Sequence, residues 1–280
     1  MIRVKFRFGT ANRKEMSWMS ETSALMDTLR QEGVSPDLLR AVEEYRTAHP
    51  LAEALRPRIP SPAFVYYGRE VWEQALAALL CGENLLLAGG KATGKNVLAE
   101  NLAAAFGRPA WDISFHVNMD AASLIGMDTF EGGQVKFRPG PVYRCAQSGG
   151  FGVLDEVNMA KNEALVSRFV VVDMPVISDE NLQKLLRRSF PTLKREWAEQ
   201  LTALFRDLRT KCDSGEISTK ALDLRGLLAA LHLIEKGIPS GQALDLGIIN
   251  KAFEPFERQL VADAVWARLP RDATRDKLFD

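Results

Sequence analysis

The chain has 280 residues and a mass of 31.1 kDa, with 46% hydrophobic and 26% charged residues. This composition is typical of a globular protein with one large domain or two smaller ones, and it excludes a disordered chain, a collagen-like fibre and a small disulfide-stabilised protein. The 36 Lys and Arg residues balance the 36 Asp and Glu residues, so the net charge does not indicate a nucleic-acid or anionic-membrane partner.

The compartment is predicted from the cysteines, the apolar runs and the N-terminus. Cys81, Cys145 and Cys212 are odd in number and widely spaced, which is typical of free, buried thiols in a reducing cytosol. The longest apolar runs, such as residues 75–81, are shorter than the roughly 20 residues that a membrane span needs. Residues 1–8 alternate apolar and basic side chains, which predicts a strand and not a signal peptide. We therefore predict a soluble cytoplasmic protein without a membrane contact.

The first 60 residues are predicted to form a leader of one strand and two helices. The helices cover residues 20–30 and 36–47, and the second begins with Ser35 as its cap and Pro36 in its first turn. Three prolines within residues 56–62 mark the end of this leader. A helix over 69–81, a short apolar strand over 84–88 and a second helix over 95–106 follow.

Alternating strands and helices predict an α/β domain with a parallel sheet at residues 61–177. Further strands are expected at 111–115, 151–154 and 169–172, and the last is apolar enough to be buried on both faces. A hairpin with a glycine turn is expected at 127–141. Residues 178–280 are predicted to form a small all-helical domain, with helices at 179–188, 192–212, 220–236 and 249–269.

A glycine-rich loop between the first apolar strand and its helix carries the strongest chemical signal. Its residues match GxxxxGK and are followed by Asn where Ser or Thr is usual: Gly89, Gly90, Lys91, Ala92, Thr93, Gly94, Lys95 and Asn96. Glycines let successive backbone N–H groups turn toward a phosphate, and the following helix adds the positive end of its dipole. The string alone also fits an ordinary glycine turn. Its position between an apolar strand and an apolar helix favours a phosphate-binding loop.

We predict that the residues from Gly89 to Val97 bind ATP, with the Lys95 ammonium at the β- and γ-phosphates. Asn96 would offer Mg²⁺ an amide oxygen, a weaker ligand than the usual hydroxyl. Asp155 and Glu156 follow the strand at 151–154; Asp155 would orient Mg²⁺ and Glu156 would polarise the attacking water. Two solvated acids at a strand end are common by themselves, but together with the loop they predict an ATP site.

Over about residues 64–270 the chain resembles the AAA+ ATPases of the MoxR and CbbQ/NirQ kind, in the dynein-related branch. The resemblance rests on the loop, the acidic strand end and above all residues 155–160, Asp-Glu-Val-Asn-Met-Ala. It implies a P-loop NTPase core with a helical lid, and ATP and Mg²⁺ as cofactors. It also implies a homo-oligomeric ring, hexameric in this family, that hydrolyses ATP to remodel a partner protein with a von Willebrand A-type domain.

Other positions gain a role only through this resemblance. Arg168 matches the arginine finger, which reaches the γ-phosphate of a neighbouring subunit, although a surface arginine at a helix end would look the same. Lys220 lies at the second-sensor position, where arginine is usual, and Arg225 is an alternative. Residues 66–70 resemble the segment beside adenine, and residues 127–141 resemble the hairpin inserted in helix 2.

The stretch between Glu156 and Arg168 departs from the family pattern. The family has a helix, a strand ending in the first sensor residue and another helix there, whereas these eleven residues leave room for one helix at 158–166. Either the protein has lost a strand–helix unit or the sequence omits it. That strand would lie between the loop strand and the acidic strand. We therefore expect either that these two strands pair directly or that a gap with unpaired backbone remains.

Three functions are compatible with these residues. The first is an ATP-hydrolysing ring subunit that remodels a partner protein. The second is a nucleotide-gated scaffold that binds ATP but hydrolyses it poorly, which Asn96 and the missing sensor strand favour. The third, a small-molecule kinase, is disfavoured by the candidate arginine finger and by the large helical domain.

Overall fold

The computed structural model describes residues 14–114, 120–155 and 169–280. The chain forms two compact units, one made of Met1–Leu86 with Asn96–Val172 and the other of Leu87–Lys95 with Asp173–Asp280. The strand predicted at residues 1–8 and the helix predicted at 158–166 lie outside the described residues. Over the part of the chain that is described, no helix is both long and apolar enough to cross a membrane.

The described part of the first unit begins with three helices and a short turn: α1 (Lys14–Gln31), α2 (Pro36–Ala48), a 3-10 turn (Glu53–Arg58) and α3 (Arg69–Leu80). The backbone N–H of Ser35, which precedes α2, donates to Glu73 Oε1 of α3 at 2.9 Å. Val42 is fully buried on α2, and Leu76 is fully buried on α3. The apolar faces of α2 and α3 thus contribute to the core of the first unit.

Arg108 connects the end of α2 to the α/β part of the same unit. Its side chain is 8% exposed, and its guanidinium donates to the carbonyl oxygens of Gly149 at 2.7 Å and His49 at 2.8 Å. Aromatic rings continue the contact, because Tyr45 packs edge-on against Phe106 with ring centres 5.3 Å apart. The C-terminal end of α2 is therefore packed against the α/β elements.

The α/β elements follow in the order β1 (Leu85–Ala88), α4 (Lys95–Ala105), β2 (Ala110–Ser114), α5 (Ala121–Ile125), β3 (Gly126–Glu131), β4 (Gln134–Pro139), α6 (Pro141–Ser148), β5 (Phe151–Asp155) and β6 (Val170–Asp173). Mixed α/β structure with parallel strands, followed by helices, confirms the predicted fold class. The predicted hairpin is β3–β4, whose strands pair antiparallel from Gly126 opposite Pro139 to Glu131 opposite Gln134.

The parallel strands form two separate pairs. β2 pairs with β5 in parallel, from Ala110 opposite Phe151 to Ser114 opposite Asp155. β1 pairs with β6, and the bonds Val170 N–H to Asn84 O and Met174 N–H to Ala88 O advance in the same direction along both strands, as in a parallel ladder. Among the described residues no ladder joins β1 to β5, so the loop strand and the acidic strand do not pair directly.

The prediction that the strand at 169–172 is buried on both faces was wrong. Val170 is 39% exposed and Val171 is 47% exposed, whereas Val172 is buried. β6 has one neighbouring strand among the described residues, so its apolar side chains lack the cover that a strand inside a wide parallel sheet receives. The cysteines also differ from expectation, because Cys81 is exposed and the thiols of Cys145 and Cys212 are half-buried, all three free.

The second unit is helical beyond residue 173. Its helices are α7 (Asp179–Ser189), α8 (Arg195–Asp213), α9 (Leu224–Glu235), α10 (Ser240–Gly247), α11 (Pro255–Trp266) and α12 (Arg275–Leu278). Phe190 and Phe279 are among its largest buried side chains, with ring centres 6.2 Å apart. The C-terminal residues are tied to the start of α8 by bonds such as Lys194 N–H to Leu278 O at 2.9 Å.

The helices of this unit differ from the prediction: α8 begins at Arg195 and not at 192, α10 and α12 were not predicted, and two other predicted helices have different bounds. The helix predicted at 220–236 begins at Leu224, because Asp223 caps it and accepts the N–H of Arg225 at 3.0 Å. The single helix predicted at 249–269 is a 3-10 turn (Ile249–Lys251) followed by α11, which starts at Pro255. Proline is favoured in the first turn of a helix and not in its interior, so the helix begins there.

Candidate nucleotide-binding site

The loop after β1 contains the backbone conformations that its glycines allow. Gly89 has φ +151° and Gly94 has φ +84°, and Ala92 at φ +62° is the one non-glycine residue with positive φ among the described residues. Residues with a Cβ atom rarely adopt such angles. The loop is therefore a sharp turn that ends where α4 begins, at Lys95.

The ammonium group of Lys95 lies inside this loop. Its Nζ donates to the carbonyl oxygens of Gly89 at 2.8 Å and Gly90 at 2.7 Å, and lies 3.4 Å from Thr93 Oγ1. The buried Thr93 hydroxyl donates to Gly90 O at 3.1 Å and helps to close the turn. A cation held at the N-terminus of a helix is well placed to neutralise a phosphate group.

Gly89 also meets the strand beside the loop. The N–H of Met174, just after β6, donates to Ala88 O at 2.7 Å. A Cβ atom at position 89 would lie 2.7 Å from Met174 O, closer than real Cβ contacts allow, and 3.1 Å from Thr93 Oγ1, which is a tight contact. At Gly90 a Cβ atom would meet nothing within 4 Å. Position 89 therefore requires glycine, both because of its positive φ angle and because a Cβ atom does not fit there. Position 90 has no such steric requirement.

Asn96 and Asp155, the two predicted metal-binding residues, lie next to each other in the first unit. The Nδ2 of Asn96, at the start of α4, donates to Asp155 Oδ2 at the end of β5 at 3.1 Å. Both side chains are half-buried. Carboxylate and amide oxygens are ligands that Mg²⁺ accepts, so the donor chemistry of the pair fits the ion. The amide of Asn96 would have to turn its oxygen toward the metal to act as a ligand.

The predicted sensor Lys220 lies in a turn before α9, in the second unit with the loop. Its Nζ is 5.1 Å from the centre of the Phe253 ring, a cation–π contact. Its backbone oxygen accepts from Nζ of the loop residue Lys91 at 3.5 Å. Within this unit, the contact of Lys220 with the loop therefore runs through its backbone and the Lys91 side chain. The alternative sensor, Arg225, is exposed in the first turn of α9.

Asp223, which the sequence analysis did not single out, pairs with Lys251 in the same unit. Burial acts to raise the pKa of Asp223. The hydrogen bond and charge of Lys251, with smaller contributions from the backbone N–H of Gly226 and the charge of Lys91, outweigh burial and hold that pKa below its ordinary value. Asp223 therefore stays ionised near neutral pH and pairs with the Lys251 ammonium. An Asp directly before an apolar helix is the signal that could have revealed its capping role.

Asn101 is a second residue that the sequence analysis missed. Its amide on α4 is fully buried and bonds the segment before α3: Oδ1 accepts from Tyr66 N at 3.1 Å, and Nδ2 donates to Phe64 O at 2.8 Å. Trp72 Nε1 donates to Tyr66 O at 2.9 Å from the other side. A polar residue within the apolar stripe of α4 was the available signal.

The hairpin β3–β4 exposes one apolar face. Phe130 lies opposite Val135, and Phe137 lies two residues farther along the same face. These side chains are 75%, 68% and 47% exposed. The ring of Tyr143, on α6, packs edge-on against Phe137 at 5.2 Å between ring centres. Solvent-exposed apolar groups of this size are typical of protein interaction sites.

The catalytic residues predicted from the acidic strand and from the arginine finger, Glu156 and Arg168, lie outside the described residues.

Residues 84–192 match the family model of the AAA domain, dynein-related subfamily. The matched segment contains the loop, the Asn96–Asp155 pair and the hairpin. A domain of this family implies nucleotide binding and ATPase activity in general. AAA domains generally bind ATP with Mg²⁺ and typically assemble into oligomeric rings.

The chain is also similar to bacterial proteins that are themselves uncharacterized. It is 26% identical to the uncharacterized protein YojN of Bacillus subtilis (strain 168), in an alignment that covers 87% of this chain and 95% of the relative. It is 27% identical to the uncharacterized protein SH1500 of Staphylococcus haemolyticus, with 72% of this chain and 97% of the relative covered. A Staphylococcus aureus protein, SAB1265c, is 27% identical over 70% of this chain and 94% of its own length.

Proposed function

We propose that this chain is an AAA+ ATPase subunit that binds ATP with Mg²⁺, assembles into a homo-oligomeric ring and remodels a partner protein. One observation carries the proposal: the Lys95 ammonium is fixed among the loop carbonyls, and the next residue, Asn96, contacts the Asp155 carboxylate. A phosphate-binding cation followed directly by an oxygen-bearing metal pair is what a magnesium–nucleoside triphosphate requires. The ring is hexameric by resemblance.

Each proposed site residue has a distinct task. The loop from Gly89 to Gly94 turns its backbone toward the phosphates, Lys95 neutralises them, and Asn96 and Asp155 hold Mg²⁺. Held by these two side chains, Mg²⁺ would supply the positive charge that offsets the negative charge of the phosphates. Glu156 orients the attacking water and Arg168 of a neighbouring subunit contacts the γ-phosphate. Tyr66 and the residues up to Glu70 lie beside the adenine, Val97 borders the site, and Lys220 acts from the helical unit.

The hairpin supports an interaction with a protein. Its apolar face holds Phe130 and Val135, whereas Thr129 points to the opposite face, which also carries charged side chains. An exposed apolar face of this kind is typical of a surface that binds another protein. We expect that the double substitution Phe130→Ser with Val135→Ser leaves ATP binding unchanged and weakens the association with the partner or with other subunits. Thr129→Ala on the opposite face is the matched control.

The scaffold that hydrolyses ATP poorly is the second candidate, and two observations favour it. β1 and β5 belong to separate strand pairs among the described residues, which supports the hypothesis that a strand between them is missing. The alignment with the Bacillus subtilis protein extends over 295 residues but covers only 87% of 280, so the relative has about 50 residues at positions where this chain has none. Without a first-sensor residue, the attacking water would be positioned poorly.

Magnesium-dependent ATP hydrolysis, measured over a range of protein concentrations, tests both candidates. A ring with a trans-acting arginine predicts a specific activity that rises with concentration and is abolished by Lys95→Ala and by Glu156→Gln. Arg168→Ala should preserve ATP binding and lower turnover. Lys236→Ala, which removes an exposed lysine at the end of α9, is the matched control for loss of a positive charge.

The results separate the two functions clearly. ATP binding that Lys95→Ala abolishes, without measurable hydrolysis at any concentration, would favour the scaffold. Unchanged ATP affinity in the Lys95→Ala variant would contradict the site itself. Unchanged turnover in the Arg168→Ala variant at high protein concentration would contradict the assignment of the arginine finger.

A further inference from the structure

We propose that Asn101 is a positioning residue that sets the affinity for the nucleoside part of the nucleotide. It does so by fixing residues 64–66 against the helix that begins at the phosphate loop. This inference rests on the proposed function, in which the segment from Tyr66 to Glu70 lies beside the base. Phosphate binding by the loop does not depend on it.

The hydrogen bonds of Asn101 use its whole amide group. Oδ1 accepts from Tyr66 N at 3.1 Å, and Nδ2 donates both to Phe64 O at 2.8 Å and to Val97 O at 2.7 Å, one turn earlier on α4. Without the Asn101 amide, the N–H of Tyr66 and the carbonyl oxygen of Phe64 would lose these hydrogen bonds in a place where water has reduced access. Asn101 thereby joins α4 to two peptide groups of one short segment.

The segment from Phe64 to Tyr66 belongs to neither a helix nor a strand, so side chains must fix its position. Trp72 completes this fixation, because its indole N–H donates to Tyr66 O at 2.9 Å. The Tyr66 side chain is buried, and burial raises the pKa of its hydroxyl. Tyr66 is thus held on its N–H by Asn101 and on its carbonyl by Trp72.

The position of Asn101 on α4 explains why this contact bears on binding and not only on folding. Lys95 starts the helix, and Asn101 lies six residues farther on, about 9 Å along the axis at 1.5 Å per residue. One helix thus begins with the phosphate-binding lysine and carries the amide that fixes residues 64–66. A displaced segment would lose contacts to the base and ribose while the phosphates kept theirs, because Lys95 is held by Gly89 and Gly90.

Asn101→Asp is the sharpest perturbation because it keeps the size of the side chain. One carboxylate oxygen still accepts from Tyr66 N, but the other faces the carbonyl oxygens of Phe64 and Val97 and repels them. Trp72→Phe removes the second fixation from the opposite side and keeps an aromatic ring. It also keeps the proposal testable if the Asn101 variant does not fold.

The experiment compares two ligands on the full chain by isothermal titration calorimetry with Mg²⁺ present: ATP and inorganic tripolyphosphate, which has the phosphates but no nucleoside. We expect the dissociation constant for ATP to rise about tenfold or more in both variants and that for tripolyphosphate to change less than about twofold. Thr202→Val is the control, because it removes a buried hydroxyl bonded to its own helix in the second unit and should alter neither constant.

Two results would overturn the inference and are distinguishable from each other. An equal loss of affinity for ATP and for tripolyphosphate, or no loss for either, would show that Asn101 does not act through the nucleoside. Either result would leave the assignment of the phosphate loop unaffected. Wild-type protein that binds neither ligand would refute the proposed function itself, and the role of Asn101 with it.

Discussion

Alanine at Gly89 and alanine at Gly90 should change stability in opposite directions, although the two residues are neighbours in one loop. At Gly89, φ of +151° strains any residue with a Cβ atom by about 1–3 kcal/mol. The new Cβ would also lie 2.7 Å from Met174 O, and moving that strand away weakens the Met174 N–H bond to Ala88 O, worth about 1 kcal/mol. Gly89→Ala should therefore lower the free energy of unfolding by about 2–4 kcal/mol.

Gly90 has neither constraint. Its φ is not positive, and a Cβ atom there would meet nothing within 4 Å. The main effect of Gly90→Ala is to reduce the conformational entropy of the unfolded chain, which should raise the free energy of unfolding by about 0.4–1 kcal/mol. The two variants thus differ by roughly 2.4–5 kcal/mol, although the same methyl group is added.

Urea unfolding measures this difference. Tryptophan fluorescence and far-UV circular dichroism should give coincident transitions, which justifies a single free energy for each variant. Midpoints are compared with a common slope. If both variants shift the midpoint equally, or if Gly90→Ala is the more destabilising change, the described loop conformation is wrong.

Three further substitutions test other contacts. Asn96→Thr supplies the hydroxyl usual at this position, so we expect tighter Mg²⁺ binding to the ATP complex in a magnesium titration; an unchanged affinity would argue against a metal-binding role. Arg108→Met leaves two carbonyl groups without their donor and should destabilise the fold by about 2–4 kcal/mol in urea, whereas a change below about 0.5 kcal/mol would contradict its buried bonding. Asp223→Asn tests the ion pair with Lys251. The folded-state pKa of Asp223 lies below its ordinary value of 3.8, so the ionised carboxylate stabilises the folded state fully above pH 3.8. This stabilisation is lost as the pH falls through the folded-state pKa. The stability difference between wild type and variant should therefore be constant near neutral pH and shrink in acid, and a difference independent of pH would exclude the ion pair as its source.

Local elements could be predicted because neighbouring residues determine them. Apolar periodicity predicted the helix at 69–81, which the structure forms as Arg69–Leu80. Glycine content and the flanking apolar runs predicted a sharp turn before Lys95, and the positive φ angles of Gly89 and Gly94 agree with it. The antiparallel hairpin was predicted from alternation around Gly132 and Gly133, whose φ angles are both positive.

Contacts between distant residues could not be predicted in this way. The apolar character of β6 indicates a preference for burial but not how many strands flank it, so the exposure of Val170 and Val171 was missed. Lys220 could be placed at a sensor position, but nothing local in the sequence reveals its contact with Phe253. Asn101 binds residues 35 and 37 positions earlier in the chain.

The bonding of Arg108 has a consequence for how much of the chain constitutes a functional protein. A shorter chain starting at residue 61 would keep every residue that we assign to ATP and Mg²⁺, including the whole segment that matches the AAA domain. It would nevertheless lose the carbonyl of His49, one of two acceptors for a guanidinium that is 8% exposed, and the aromatic contact from Tyr45 to Phe106. A segment that contains every residue assigned to ATP and Mg²⁺ is therefore shorter than a segment that also supplies the buried hydrogen bond to Arg108 and the aromatic packing on Phe106.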